Sequence, residues 1–341
     1  YIKMGNTNAG YQIVGRVARF GNEPKYPYKA INWAAVTGHL AATIIFSALY
    51  MDGRPNLEIG YTESFLQWVR IENQTYNNVV LNNKSSCAAL EPEGRPLSTA
   101  ENGDFCIVPT TESVGYGLDL GWLIIAFHFL SFFFQALAGV TDCCKNGCCG
   151  YKYSAMIESG RNPLRFVEYS ISASIMLICI AFVNGVTDVN LVAAIAVLTA
   201  CCQLCGLVVE YMEVGSSLKW ILHLTGWIQF LCAYGIITHA FFKSVFAVDG
   251  VEPPSFVYAI VFALFALYAS FGGVQLTELF CENKWCIKCC NCETTFALCH
   301  AKEGRIHYEC KEVFYVALSL GAKLVLGTLI FVNVLFSTRE T

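Results

Sequence analysis

Charged residues are scarce in this chain. Only 14% of its 341 residues are Asp, Glu, Lys or Arg, where a soluble domain carries about 25%. The shortfall is concentrated in long blocks almost free of charge. That pattern excludes an ordinary soluble fold, which scatters its apolar residues through short periodic elements. No large excess of either sign is present: the formal net charge is −4, and no nucleic-acid partner is expected from it. No internal repeat is evident, which argues against a transporter built from duplicated halves. Residues 1–29 are polar and include Lys3, Arg16, Arg19, Lys25 and Lys29, so no cleavable signal peptide is expected there.

What the chain has instead is apolar length. Hydrophobic residues make up 55% of it. They fall in blocks of about 20, the length that crosses a hydrocarbon core ~30 Å thick. Seven spans are predicted, approximately at 30–50, 118–140, 163–184, 189–210, 217–243, 254–279 and 313–336. The expected fold is an all-α, multi-pass bundle of seven transmembrane helices in the lipid bilayer, occupying residues 30–338 after a segment 1–29. Glu210 to Ser217 leave room only for a tight turn between the fourth and fifth spans.

Orientation follows from Lys and Arg outside the spans. One side holds the five N-terminal cations, Lys145, Lys152, Arg161, Arg165, Lys219, Lys284, Lys288, Lys302, Arg305 and Lys311. The other holds Arg54, Arg70, Lys84, Arg95, Lys243 and Arg339, four of them in one long loop. The N-terminus is therefore expected to be cytoplasmic and the C-terminus external. The loop 51–117 is then the one large external piece. Phe65 to Glu72 and Tyr76 to Leu81 read as two short strands of a hairpin around Asn73-Gln74-Thr75. Cys87 and Cys106 lie in this loop, on the oxidising face, and are expected to form a disulfide. Asn73-Gln74-Thr75 and Asn83-Lys84-Ser85 have the form of glycosylation acceptors.

Ionisable residues inside a membrane are costly and mark function. Lys323 sits near the middle of the seventh span, about 16 Å from its start at 1.5 Å per residue. From there its side chain does not snorkel easily to water. It is either paired in a polar bundle core or condensed with an aldehyde as a Schiff base. Glu168, Ser172 and Met176 share one face of the third span at i, i+4, i+8. Glu168 is thus a candidate partner for Lys323, or else an interfacial partner of Arg165.

The run Arg165-Phe166-Val167-Glu168-Tyr169-Ser170-Ile171-Ser172-Ala173-Ser174 resembles the third-helix signature of heliorhodopsins. His39, His128 in Phe127-His128-Phe129-Leu130-Ser131, Gly226-Trp227, the run Pro254 to Ile260 and Lys323 fall where that family has comparable residues. The resemblance covers about 30–338, and the inverted orientation read from charge is that family's hallmark. It implies a light receptor, not an enzyme, with all-trans retinal bound covalently to Lys323 as a protonated Schiff base and Glu168 as counterion. It also implies a homodimer. A slow photocycle would feed a cytoplasmic signalling partner whose identity the sequence does not give. The alternative output is a light-gated passive proton or cation channel.

Light-driven pumps place a second carboxylate four residues before the retinal lysine, and here that residue is Ser319. His39, His128, Ser172 and Ser319 are candidates for a proton or water network, with satisfied core histidines as the plain reading of the first two. Glu210 and Glu278 lie at span ends and read as interfacial. Met176, Trp227, Phe230, Tyr234, Phe262, Phe265 and Tyr268 are candidates for the retinal pocket. Without the lysine, their stripes are ordinary helix packing. The cytoplasmic cysteines, Cys143, Cys144, Cys148 and Cys149 and those of the loop 280–311, are expected to be reduced. Metal binding at Cys286-Ile287-Lys288-Cys289, palmitoylation and plain thiols all fit, and no metal site is assigned.

Overall fold

The computed structural model describes residues 27–53, 58–70, 74–76, 79–81, 95–99, 103–142, 152–213, 215–246, 255–282 and 308–335. Its helices are α1 (Tyr28–Gly53), α2 (Leu120–Thr141), the short α3 (Tyr153–Glu158), α4 (Pro163–Val183), α5 (Val189–Tyr211), α6 (Ser217–Phe246), α7 (Ser255–Glu282) and α8 (Tyr308–Ile330). A wider π turn, Phe331–Leu335, continues α8. All but α3 are long and apolar enough to cross a membrane. The chain is a multi-pass membrane protein, and the seven spans agree with those read from hydropathy to within about three residues at each end, except that the seventh begins five residues earlier, at Tyr308.

The spans form a closed ring. Contacts run α1–α2–α4–α5–α6–α7–α8 and back to α1, so α8 faces α5 across the bundle. Local chemistry fixes several helix starts. Asp119 caps α2 through the backbone N–H groups of Gly121 and Trp122. Asn162 accepts from the Arg165 N–H at the start of α4, with Pro163 in its first turn. Asp188 accepts from Asn190 and Leu191 at the start of α5. Such caps satisfy N–H groups that have no partner within the helix.

The polar segment between α1 and α2 is a sheet. Strand β1 (Glu58–Arg70) pairs antiparallel with β5 (Gly103–Asp119), from Glu58 opposite Asp119 to Arg70 opposite Phe105. Strand β4 (Arg95–Thr99) adds to the other edge of β5. Strands β2 (Gln74–Tyr76) and β3 (Val79–Leu81) form a small separate hairpin. The hairpin expected between Phe65–Glu72 and Tyr76–Leu81 is therefore shifted. Gln74 and Thr75, read as its turn, are strand residues, and β2 pairs with β3 from Gln74 opposite Leu81 to Tyr76 opposite Val79. The long β1 finds its partner some forty residues on, a pairing that local pattern does not reveal. Cys106 is buried and disulfide-bonded. Cys87 and both glycosylation motifs contain residues outside the described ones.

The sheet is anchored to the bundle. Tyr50 at the end of α1 donates to Asp119 at 2.6 Å. Thr62 N–H donates to Thr187 O at 3.0 Å, and Ser64 N–H donates to Asp188 at 3.0 Å. Asp188 thus serves helix and sheet at once. Slight burial raises its carboxyl, but the N–H donors of Leu191, Ser64 and Asn190 outweigh this and hold it below the usual carboxylate range. A depressed native pKa stabilises the fold above the unfolded value, and that stability is lost as pH falls through the native one. Asp188→Ala should cost about 1 kcal/mol at neutral pH, read as a lower melting temperature of the detergent-solubilised protein. The gap from wild type should narrow as pH falls through the native pKa, which lies below the usual carboxylate range.

Candidate functional site

The site is built on the inner faces of α2, α4 and α8. Lys323 and Glu168 are each only 2% exposed, and their side chains meet with Nζ 2.7 Å from Oε1. An ammonium has three N–H donors, and all three are used here. Lys323 also donates to Ser319 Oγ at 3.0 Å, one helical turn before it, and to Ser131 Oγ on α2. Ser131 in turn donates to Glu168 Oε1 at 2.5 Å. The face of the Tyr169 ring lies 5.3 Å from the same nitrogen. Lys323, Glu168, Ser131 and Ser319 therefore form one closed cluster. Ser131 is the member that sequence reasoning leaves without a role. Its one signal is that it follows His128 at i+3, on the same helix face.

Arg165 does not pair with Glu168. It reaches away from the cluster to Glu210, at 2.5 Å, and to Glu312. Lys311 bridges Glu210 at 2.9 Å and Glu278 at 2.6 Å. Tyr153 and Asn162 donate to Glu312 at 3.0 and 2.7 Å, and Tyr308 donates to Glu210 at 2.8 Å. Glu210 is thus buried inside an ionic network joining α4, α5, α7 and α8, not lying at the interface as expected, because two cations and two neutral donors replace its water. Glu278 sits at the network's partly open edge. Beside this network Cys310 is buried and disulfide-bonded, in contrast to the reduced thiols expected. The other cytoplasmic cysteines named above, Cys281 aside, are outside the described residues. Among the described residues no group of three His, Cys, Asp or Glu could hold a metal.

His39 and His128 are fully buried and joined through their Nδ1 atoms at 3.1 Å. One must donate and the other accept, so their tautomers are opposite. Among the described residues neither Nε2 has a hydrogen-bond partner. A Cβ on Gly327, the residue four beyond Lys323, would stand 3.1 Å from His128 Nε2, so the histidine pair packs directly against α8.

A cavity opens from Lys323 across the bundle. Ser172, Met176, Trp227, Phe230 and Tyr268 line it with Lys323 and Ser319. Ser172 Oγ is buried without a hydrogen-bond partner among the described residues. Phe166, Tyr169, Phe271 and Tyr315 add to its aromatic wall. Tyr234, Phe262 and Phe265 are not among the lining residues. Tyr234 is buried behind it, donating to Val261 O at 2.6 Å. Phe265 stacks on Phe230 from outside, and Phe262 is 51% exposed on the surface of α7. A regular three- or four-residue stripe does not reveal which side of a helix faces the cavity. Trp227 is held between Gly272, where a Cβ would meet the indole at 2.7 Å, and His223 Nε2, to which it donates at 2.9 Å.

The cavity is lined by residues of α4, α5, α6, α7 and α8, most of them apolar or aromatic, and has one buried amine at its wall. These features fit a long apolar aldehyde that condenses with Lys323 and keeps a positive charge beside Glu168. No curated protein matches the chain. The heliorhodopsin family model matches residues 95–298, more than half of the 341 residues, including the Glu168 helix. That family consists of retinal photoreceptors of the rhodopsin type, and this chain belongs to it.

Proposed function

We propose that the protein is a light receptor that holds all-trans retinal on Lys323, with Glu168 as the counterion. The observation that carries this reading is the buried Lys323–Glu168 pair at the wall of the cavity. Bound as a protonated Schiff base, retinal supplies absorption of visible light and a change of shape on excitation. The residues of the chain do the rest. A protonated Schiff base keeps a single N–H, for which Glu168, Ser131 and Ser319 compete, and the charged acceptor is the strongest. Met176, Trp227, Phe230 and Tyr268 exclude water from the cavity. Ser172, His39 and His128 offer nearby polar atoms without hydrogen-bond partners among the described residues, where a proton or an internal water can be held.

The output is signalling, or, as a second reading, passive permeation. The histidine pair packed against α8 favours proton movement inside the protein. The ionic network around Arg165 and Glu312 lies across the route to the α3 side of the membrane. The charge distribution supports a cytoplasmic N-terminus and an external C-terminus.

Lys323→Ala should abolish the visible absorption band, because Lys219, Lys243 and Lys311 lie within about a turn of their helix ends. Glu168→Gln should move the band to the red. A carboxylate beside the nitrogen stabilises the ground state more than an excited state in which positive charge has left the nitrogen. The variant should also lose its visible band to a near-ultraviolet one at lower pH than wild type does, since the stabilising charge is gone. Unchanged colour and titration would remove Glu168 from the role.

Photocurrents under voltage clamp address the output. A single carboxylate at Lys323, with Ser319 in the second position, predicts that any light-driven current reverses with the electrochemical gradient. Sustained current against the gradient contradicts it. For orientation, an epitope at Thr341 should label on intact cells, and one near Gly5 only after permeabilisation. The opposite pattern overturns the assignment.

A further inference from the structure

The far end of the cavity is not apolar. Across the bundle from Lys323, its wall on α5 carries Thr199, Gln203 and Gly206, which share one face at i, i+4, i+7. Facing them are His223 on α6 and Gln275 on α7. Most of this polar end is satisfied internally. Trp227 donates to His223 Nε2, so the proton of His223 resides on Nδ1, which donates to Gln275 Oε1 at 3.3 Å. Gln275 donates to Gly206 O at 3.2 Å. Thr199 returns its hydroxyl to Ile195 O at 2.7 Å.

Gln203 is the exception. It lies in the middle third of a membrane span, half-buried, and lines the cavity, and no hydrogen bond of its amide is seen among the described residues. An unpaired amide in a low-dielectric surrounding is costly, and packing does not need one, since Leu or Met fills the same volume. α8 contacts α1 and α7, whereas α5 contacts α4 and α6. A ligand fixed at Lys323 and lying along the cavity therefore ends near Gln203, two helix spacings of about 8–10 Å each away. That span matches a polyene aldehyde whose ring reaches the α5–α6 wall.

We propose that Gln203 is a specificity residue for an oxygen substituent on the ring of the chromophore, so that the protein prefers a ring-hydroxylated retinal to retinal itself. The amide offers both a donor and an acceptor to such a hydroxyl, and the fixed His223–Gln275 pair places a second amide oxygen nearby. The inference rests on the proposed attachment of retinal to Lys323.

The test is competitive reconstitution. The purified full-length apoprotein is given equal amounts of retinal and 3-hydroxyretinal, washed, and the bound chromophore is released and quantified. One net hydrogen bond predicts roughly a fivefold excess of the hydroxylated form. Gln203→Leu should bring the ratio close to one while still forming a visible pigment. Equal uptake by the wild type, or a preference for retinal, overturns the inference and leaves the attachment at Lys323 intact. So does an excess that Gln203→Leu leaves unchanged, which places the recognition elsewhere. If the leucine variant fails to fold, the wild-type ratio alone decides. No pigment with either aldehyde overturns the attachment and this inference together.

Discussion

A positive charge buried in the middle of a membrane span is the constraint on which the remaining structure depends. Placing a lysine there costs about 2.5–3.5 kcal/mol on insertion scales, and far more for an isolated helix. Lys323 is tolerable because Glu168, Ser131 and Ser319 take all three of its N–H bonds. That demand fixes which faces of α2, α4 and α8 point inward. It also explains why Glu168 is left to Lys323 while Arg165 pairs with Glu210 and Glu312. Removing one member of a buried pair typically costs 3–5 kcal/mol, because the survivor is left charged and unpaired.

A second ionic cluster lies toward the α3 side and is kept apart from the first. Tyr169 donates to Tyr315 O at 2.9 Å, and Phe271 packs between the two rings. The Arg165 guanidinium lies over the other side of this layer, 4.2 Å from the Tyr315 ring centroid. The layer therefore separates Lys323 from a network in which Arg165 and Lys311 pair with Glu210, Glu312 and Glu278. The two clusters share one helix, because α8 carries Lys311 and Glu312 as well as Lys323.

The spans, their order and Lys323 were legible in the sequence, because twenty apolar residues and one buried lysine are strong signals on their own. The ten-residue run around Glu168 supplied the family. The arrangement of the charged span ends was not legible. Arg165, Lys311 and Glu312 sit within a turn or so of a helix end, where charges usually face water, and only the packing of α4 against α5 and α8 turns them inward. The β1–β5 pairing escaped local pattern for the same reason, since the partner strand lies far along the chain. Phe262 and Phe265 illustrate a different limit: in lipid both faces of a helix are apolar, so hydrophobicity does not distinguish the cavity from the membrane.

Reductive trapping tests the central claim most directly. Borohydride treatment of the illuminated pigment converts the imine to a stable secondary amine, and peptide mass spectrometry locates the retinyl group. The account predicts a single labelled peptide carrying the modification at Lys323. Label on any other lysine, or a coloured protein with Lys323 unmodified, would contradict it.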